Sequence, residues 1–370
     1  MIPSNKKKFF FVTGSRSEFG QFQDFIKKIS KKNKIEISLI VTGSFLEKNF
    51  ENDFSDIVKS KLKIVKKIKL DVKNKNLLEN IPEALSQGIK KFTLFLKKSN
   101  PDFIILPCDR YEMLCPAYAA FFLKIPIIHF YGGETTSGSF DNVIRDQISL
   151  MSKYHFVSCD KHARKLLNLS IPSSNIFNVG ALALDKLNKV KLFSKKKLNL
   201  IFKDFFTSNT ALVTFHPVTN GDTELEFKNL IDALEKTKNI KIIFSGPNND
   251  PDHQMILSRI NSLLKKNPKK YRFCRHLGRK LYLSLVKNVD FNIGNSSSLF
   301  YEVPTFKKLS YNIGSRQNNR VGGNSIVNIK AKSAEILKVL TNKKNKNFFF
   351  YNPYYKKNSI KNIIKYIKGF

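Results

Sequence analysis

Short apolar runs separated by longer amphipathic stretches constrain what this chain can fold into more than any other feature. The strand-type runs are Phe9 to Thr13, Ile37 to Thr42, Phe103 to Pro107, Ile125 to Tyr131 and His155 to Ser158, then Ala211 to Phe215, Ile240 to Ser245, Phe291 to Ile293 and Leu309 to Ile313. Stretches with helical spacing lie between them, among them Gln21 to Ser30, Ile81 to Lys98, Tyr111 to Leu123 and Glu224 to Lys236. Near-continuous apolar strands alternating with helices are the pattern of parallel sheets covered on both faces, so an α/β fold is expected. The series breaks over residues 185–209, which are Lys-rich, and restarts at Ala211. The chain has 370 residues, and at roughly 100–200 residues per domain this implies two. The expected boundaries are an N-terminal domain over 1–184, a linker over 185–209 and a C-terminal domain over 210–345. Residues 346–370 form a tail whose Ile360, Ile363, Ile364 and Ile367 stand at helical spacing, which predicts a helix packing back on the first domain.

The formal net charge is +36, which brings nucleic acid, an anionic membrane surface and acidic substrates into view as partners. Lysine carries most of it, scattered as in Lys6-Lys7-Lys8, Lys195-Lys196-Lys197 and Lys343-Lys344, with no Arg-rich stripe or stacking motif among them. That scatter points away from a nucleic-acid partner. The cysteines, Cys108, Cys115, Cys159 and Cys274, have neither C-x-x-C spacing nor the density of a disulfide scaffold, so free thiols in a reducing, cytoplasmic setting are expected. No apolar run approaches the roughly 18 residues that span a bilayer, and no membrane partner is expected. Residues 1–8 lead directly into a core strand rather than a signal peptide. No spacing suggests a metal site.

Several strands end in small or charged residues just before a helix, where ligands bind in open α/β sheets. Thr13-Gly14-Ser15-Arg16-Ser17-Glu18 offers backbone N–H groups and a guanidinium to a diphosphate, and equally fits an ordinary capped helix start. At Cys108-Asp109-Arg110-Tyr111-Glu112 an acid and a base either pair with each other or face a substrate. His129-Phe130-Tyr131-Gly132-Gly133-Glu134 is followed by Ser137-Gly138 and by Asp141 with Arg145 four residues on. The paired glycines allow close backbone approach, and the acids come near Asp109 if the two strands are neighbours. Clustered carboxylates suit proton abstraction and donation. The plainer reading is a helix-face ion pair between Asp141 and Arg145, with Glu134 a solvated loop acid. In the second half, His216-Pro217, Gly246-Pro247-Asn248-Asn249-Asp250 and Gly294-Asn295-Ser296-Ser297-Ser298 end successive strand candidates. The last offers hydroxyls and N–H groups to a phosphate, or is a serine-rich helix cap. Glu302 has the reach to accept from ribose hydroxyls. Arg316 and Arg320 either close over an anion or are surface charges.

Taken in order, these pieces resemble the hydrolysing UDP-N-acetylglucosamine 2-epimerases of sialic-acid and related nonulosonic-acid synthesis. The resemblance rests on Val12-Thr-Gly-Ser-Arg-Ser-Glu-Phe-Gly20, Val41-Thr-Gly43, Asp109-Arg-Tyr-Glu-Met113, His129 to Glu134, Asp141 with Ile144-Arg145, Phe177-Asn-Val-Gly-Ala181, Pro247-Asn248, Gly294 to Ser298 with Glu302-Val-Pro304, and Asn312-Ile-Gly-Ser-Arg-Gln317. It covers nearly the whole chain. It implies two Rossmann-like domains of the glycosyltransferase-B type with the active site in the interdomain cleft, no cofactor, no metal, and a homo-oligomer, dimer or tetramer. It further implies that Arg16, Ser296, Ser297 and Arg316 bind the diphosphate, that Glu302 binds the ribose, that Asn248 lies near the nucleoside, and that Arg110 and His216 meet phosphate and sugar. Asp109, Glu134 and Asp141 become the acid and base candidates, with His216 assisting the leaving group. The position of Tyr131 carries an acid in some relatives. A phenol there suits another sugar, such as a 2,4-diacetamido-2,4,6-trideoxy hexose, so Tyr131 belongs among the substrate-binding candidates. The same fold also serves non-hydrolysing epimerases and glycosyltransferases, and a nucleotide-sugar or polyanion binding protein without turnover is the remaining class.

Overall fold

The structure, a computed structural model, describes residues 6–46, 51–71, 78–107, 109–135, 141–185, 187, 190–203, 205–206, 209–218, 221–248, 252–275, 277–341 and 350–370. Of the positions named above, Cys108, Ser137, Gly138, Asn249, Asp250, Lys343 and Lys344 lie outside the described residues. The chain divides into two compact units. The first holds the described residues up to Glu134, those from Asp141 to Asp185 and those from Lys356 to Phe370; the second holds Thr135 and those from Leu187 to Tyr355.

In the first unit the elements run β1 (Lys7–Thr13), α1 (Arg16–Ile29), β2 (Ile35–Val41), α2 (Glu51–Ser60), β3 (Ile64–Lys67), α3 (Ile81–Ser99), β4 (Phe103–Pro107), α4 (Leu114–Phe122), β5 (Ile127–Phe130), α5 (Asp141–Met151), β6 (Tyr154–Val157), α6 (Asp160–Asn168) and β7 (Ile176–Asn178). The strands form one parallel sheet in the order β3-β2-β1-β4-β5-β6-β7. Alternation along β1 sorts the core into two layers. Phe9 and Phe11 face α1, through Phe22 and Phe25, and the C-terminal helix Ser359–Gly369, whose Ile360, Ile363, Ile364 and Ile367 are buried with them. Phe10 and Val12 face the opposite way, against Phe92 and Leu96 of α3 and Ala117 and Ala120 of α4. Helix α1 begins at Arg16, ahead of the apolar periodicity, because Ser15 caps it: the Ser15 hydroxyl accepts from the Glu18 N–H at 3.4 Å.

The second unit contains α7 (Lys195–Ile201), β8 (Thr210–Thr214), α8 (Thr223–Lys236), β9 (Lys241–Ser245), α9 (His253–Lys266), β10 (Tyr271–Cys274), α10 (Gly278–Asn288), β11 (Phe291–Gly294), α11 (Ser298–Thr305), β12 (Leu309–Ile313), β13 (Ile326–Ile329) and α12 (Ser333–Thr341). Its parallel sheet has the order β10-β9-β8-β11-β12-β13. Within the segment expected as a linker, Ser194 caps α7 through the Lys197 N–H, and Leu198, Phe202, Phe205 and Phe206 are buried.

Both sheets are doubly wound, as the alternating pattern predicts. The strand order reverses between β1 and β4 in the first and between β8 and β11 in the second. Crevices at such reversals, beyond the carboxyl ends of the strands, are where ligands bind in this architecture.

Candidate functional site

At the carboxyl end of the first sheet, β4 and β5 are neighbours, with Pro107 opposite Phe130. Asp109 and Glu134 therefore leave adjacent strands on the same side. Arg145 ties them together. Its Nη2 pairs with the Asp109 carboxylate, and its Nη1 donates to the Glu134 carbonyl oxygen at 2.6 Å and to Asn142 Oδ1 at 2.9 Å. The guanidinium is buried, whereas Asp109 keeps 20% of its side chain exposed. Beyond the helix-face pair with Asp141 that the spacing suggests, the Arg145 guanidinium lies on a buried side of α5 and pairs with Asp109. Asp141 is the first residue of α5 and is half-buried.

Glu134 is not a solvated loop acid: only 7% of it is exposed. Ser158, just past β6, donates to Glu134 Oε1 at 2.8 Å, and the same hydroxyl lies 2.9 Å from His162 Nδ1. The glycine pair makes this possible. Gly133 has φ +78°, and a Cβ there would stand 2.3 Å from the His162 carbonyl oxygen. Tyr131 also has a left-handed backbone, with φ +64°. Its ring is buried against Phe22, with centroids 5.7 Å apart.

Beside this cluster, Glu112 is 1% exposed and accepts from Arg110 Nε at 2.7 Å. Arg110 thus pairs with the acid two residues on while keeping part of its side chain exposed. Glu18 is also buried, and its Oε1 accepts from the Gly14 N–H at 3.1 Å. Burial, reinforced by the Glu112 charge, pushes the Glu18 carboxyl up to about 8. One N–H of the expected phosphate cradle is thus already occupied. Arg16, at the start of α1, is exposed.

In the second unit, β8 and β11 end side by side, Thr214 opposite Gly294. Gly294 has φ +140°, and a Cβ there would stand 2.0 Å from the Thr214 carbonyl oxygen, so no other residue lets the strands approach this closely. The Asn295 side chain clamps the His216 backbone: Oδ1 accepts from its N–H at 2.7 Å and Nδ2 donates to its carbonyl at 2.8 Å. The His216 imidazole accepts the Asn248 N–H at Nδ1, 3.1 Å away. A ring that accepts at Nδ1 while neutral carries its proton on Nε2. Burial, with the Arg316 charge adding, lowers this imidazole to about 3, so it is neutral at physiological pH. Arg316 is more than a surface charge, since Nε donates to the Pro217 carbonyl at 3.1 Å and Nη1 to the Asn295 carbonyl at 3.2 Å. Arg320 donates to the Tyr301 hydroxyl at 3.2 Å.

Ser296 is buried and Ser297 half-buried in the turn before α11, where Ser296 Oγ accepts the Ser298 N–H at 3.3 Å. Burial raises the Glu302 carboxyl, with the Arg279 charge opposing. Burial raises the Tyr282 hydroxyl, carried by α10, to about 12.

Sequence reasoning missed Ser158, His162, Glu18 with Glu112, and Tyr282. The signal for Ser158 was its place directly after a strand; Tyr282 lies within a helix and carried none. Among the described residues no group of three or more His, Cys, Asp and Glu side chains is placed to hold a metal ion, and no described helix is long and apolar enough to cross a membrane.

Two doubly wound parallel sheets with polar strand ends of this kind define the glycosyltransferase-B type of nucleotide-sugar fold. The solved UDP-GlcNAc 2-epimerase of Neisseria meningitidis bound to UDP-GlcNAc shares that fold, with a TM-score of 0.81 at 19% identity over 98% of this chain and 100% of the other. Over 325 residues the chain is 32% identical to the GDP/UDP-N,N'-diacetylbacillosamine 2-epimerase (hydrolyzing) of Campylobacter jejuni, covering 87% of this chain and 84% of that one. It is 30% identical to the UDP-N,N'-diacetylbacillosamine 2-epimerase (hydrolyzing) of Legionella pneumophila, covering 87% and 85%. Residues 27–368 match the family description UDP-N-acetylglucosamine 2-epimerase, and the chain belongs to that family.

Proposed function

We propose that the protein is a hydrolysing 2-epimerase that converts a UDP-linked, N-acetylated gluco-configured amino sugar to the free manno-configured sugar and UDP, for nonulosonic-acid synthesis. The observation that carries the reading is Arg145, which holds Asp109 by its carboxylate and Glu134 by its carbonyl. Two acids from neighbouring strands are thereby fixed at one sheet end, as removal and return of a proton on opposite faces of a sugar ring require.

In this account one carboxylate of the set Asp109, Glu134 and Asp141 removes the proton from C2. The C2 electron pair forms the C1–C2 double bond as the C1–O bond breaks, and the electrons of that bond leave with UDP. Water then adds across the double bond, its hydroxyl to C1 and a proton to C2 on the face opposite to the one that lost it. Neutral His216 donates from Nε2 to the departing phosphate oxygen, a role open to an imidazole held at Nδ1 by the Asn248 N–H. Arg16, Arg110, Ser296, Ser297 and Arg316 receive the diphosphate, Glu302 the ribose, and Asn248 the nucleoside. The steps as written balance with water as the only co-reactant and call for no cofactor.

The hydrolysing outcome is favoured by the activity for which the Campylobacter and Legionella relatives are named, and the UDP form that both names share points to UDP-2,4-diacetamido-2,4,6-trideoxyglucose, the diacetylbacillosamine nucleotide, as substrate. Tyr131 is the substrate-pocket position assigned to this choice. The same reading places the enzyme in the cytoplasm as a dimer or tetramer without a nucleic-acid partner, which light scattering with and without added RNA checks. Incubation with that nucleotide sugar and, separately, with UDP-N-acetylglucosamine tests the function by chromatography. Free UDP with a reducing sugar of manno configuration from the diacetamido substrate supports the proposal in full, whereas a reducing sugar that keeps the gluco configuration indicates plain hydrolysis. An epimerised sugar still joined to UDP indicates the non-hydrolysing reaction, and transfer only to an added acceptor indicates a glycosyltransferase.

A further inference from the structure

Glu134 has a backing that the chemistry above does not use. Ser158 is fully buried, His162 is 2% exposed, and the pair stands in line behind the carboxylate at 2.8 and 2.9 Å. A serine hydroxyl has one proton. When that proton is given to Glu134 Oε1, the contact to His162 is bonded only if Nδ1 carries a hydrogen and donates to Ser158 Oγ. The polarity of the chain is therefore fixed from Nδ1–H through O–H to the carboxylate, and both donors stabilise the ionised acid. His162 is itself held in place, because α6 lays its carbonyl where only a glycine at 133 leaves room.

We propose that Ser158 and His162 are positioning residues for the epimerase reaction, a two-donor relay that holds Glu134 oriented and ready to accept a proton. The inference rests on the proposed function, in which Glu134 exchanges a proton with substrate. Among the described residues, charged and titratable groups near Glu134 include Arg145 from α5, with Asp109 beyond it, and Cys159 from the turn before α6. Burial pushes the Cys159 thiol up to about 11, so it stays neutral across the working range.

The test compares wild type with Ser158→Ala, Ser158→Thr, His162→Ala and His162→Asn, each checked by circular dichroism for a folded chain. Ser158→Ala is expected to lower kcat by about tenfold or more, with KM within about threefold, because it affects a proton transfer rather than binding. Loss of a donor to the carboxylate also moves the acidic limb of the pH profile upward by about half a unit to one unit. Thr at 158 and Asn at 162 retain the donors and restore most of the rate and the profile. Nitrogen-15 NMR, with His162 assigned from the Asn variant, is expected to show the neutral Nδ1–H tautomer at pH 7. A wild-type enzyme inactive on every UDP-sugar overturns the functional reading. An active wild type whose Ser158→Ala variant keeps the same rate and pH limb overturns the relay alone, as does a His162 proton on Nε2.

Discussion

Replacing Glu18 by Gln should stabilise the protein, and only at the alkaline end. Glu18 is 3% exposed, lies beside Glu112 and is raised to about 8 by burial from its ordinary value of 4.5. Between those two values the unfolded chain has lost the proton while the folded chain keeps it. The unfolded state then binds fewer protons, so stability falls as pH rises through the window and is fully present only below the lower value. At about 1.4 kcal/mol per pH unit, the loss between pH 5 and pH 8 comes to roughly 3 kcal/mol. Gln keeps an oxygen for the Gly14 N–H and cannot ionise. Its melting temperature should match wild type at pH 5 and exceed it at pH 8 by about 6 °C or more, at roughly 2–4 °C per kcal/mol. Differential scanning calorimetry across pH 5 to 8 reads the effect. A difference independent of pH, or a wild type that gains on the variant as pH rises, would refute the protonated-carboxyl account.

Two further substitutions probe the two strand-end clusters. Gly133→Ala places a Cβ 2.3 Å from the His162 carbonyl in a left-handed backbone; a loss of about 2–4 kcal/mol in urea unfolding, together with a fall in kcat, is expected. Ser296→Ala removes a buried hydroxyl that the proposed function places on the diphosphate, and titration calorimetry should show UDP binding weakened about fivefold, the equivalent of one hydrogen bond; unchanged affinity would remove Ser296 from the diphosphate site.

The interior strands were legible because both their faces are buried, as in Phe103–Pro107 and Thr210–Thr214. The four strands that escaped notice, β3, β7, β10 and β13, are the four sheet edges. Each is short and mostly half-buried or exposed, like Ile64–Lys67, so no apolar run marks it. At the site, the adjacency of Asp109 and Glu134 followed once their strands were taken as neighbours. The partner of Arg145 did not follow. Spacing of four residues permits a pair with Asp141, but which side of α5 meets the sheet is settled by packing of Ile144 and Ile148. Ser158 and His162 escaped for the same reason: their meaning lies in a contact between the ends of two strands, β5 and β6, that only the assembled sheet brings side by side.

The central claim is a proton removed from C2 and replaced from solvent on the other face, with UDP expelled between the two events. Proton NMR of the reaction in D2O, with UDP-2,4-diacetamido-2,4,6-trideoxyglucose as substrate, tests it most directly. The account predicts one deuterium at C2 of a free manno-configured sugar, released with one equivalent of UDP, and loss of this product in Asp109→Asn and Glu134→Gln. A released sugar that keeps its C2 proton and gluco configuration would contradict it, because plain hydrolysis at C1 would then account for all of the UDP.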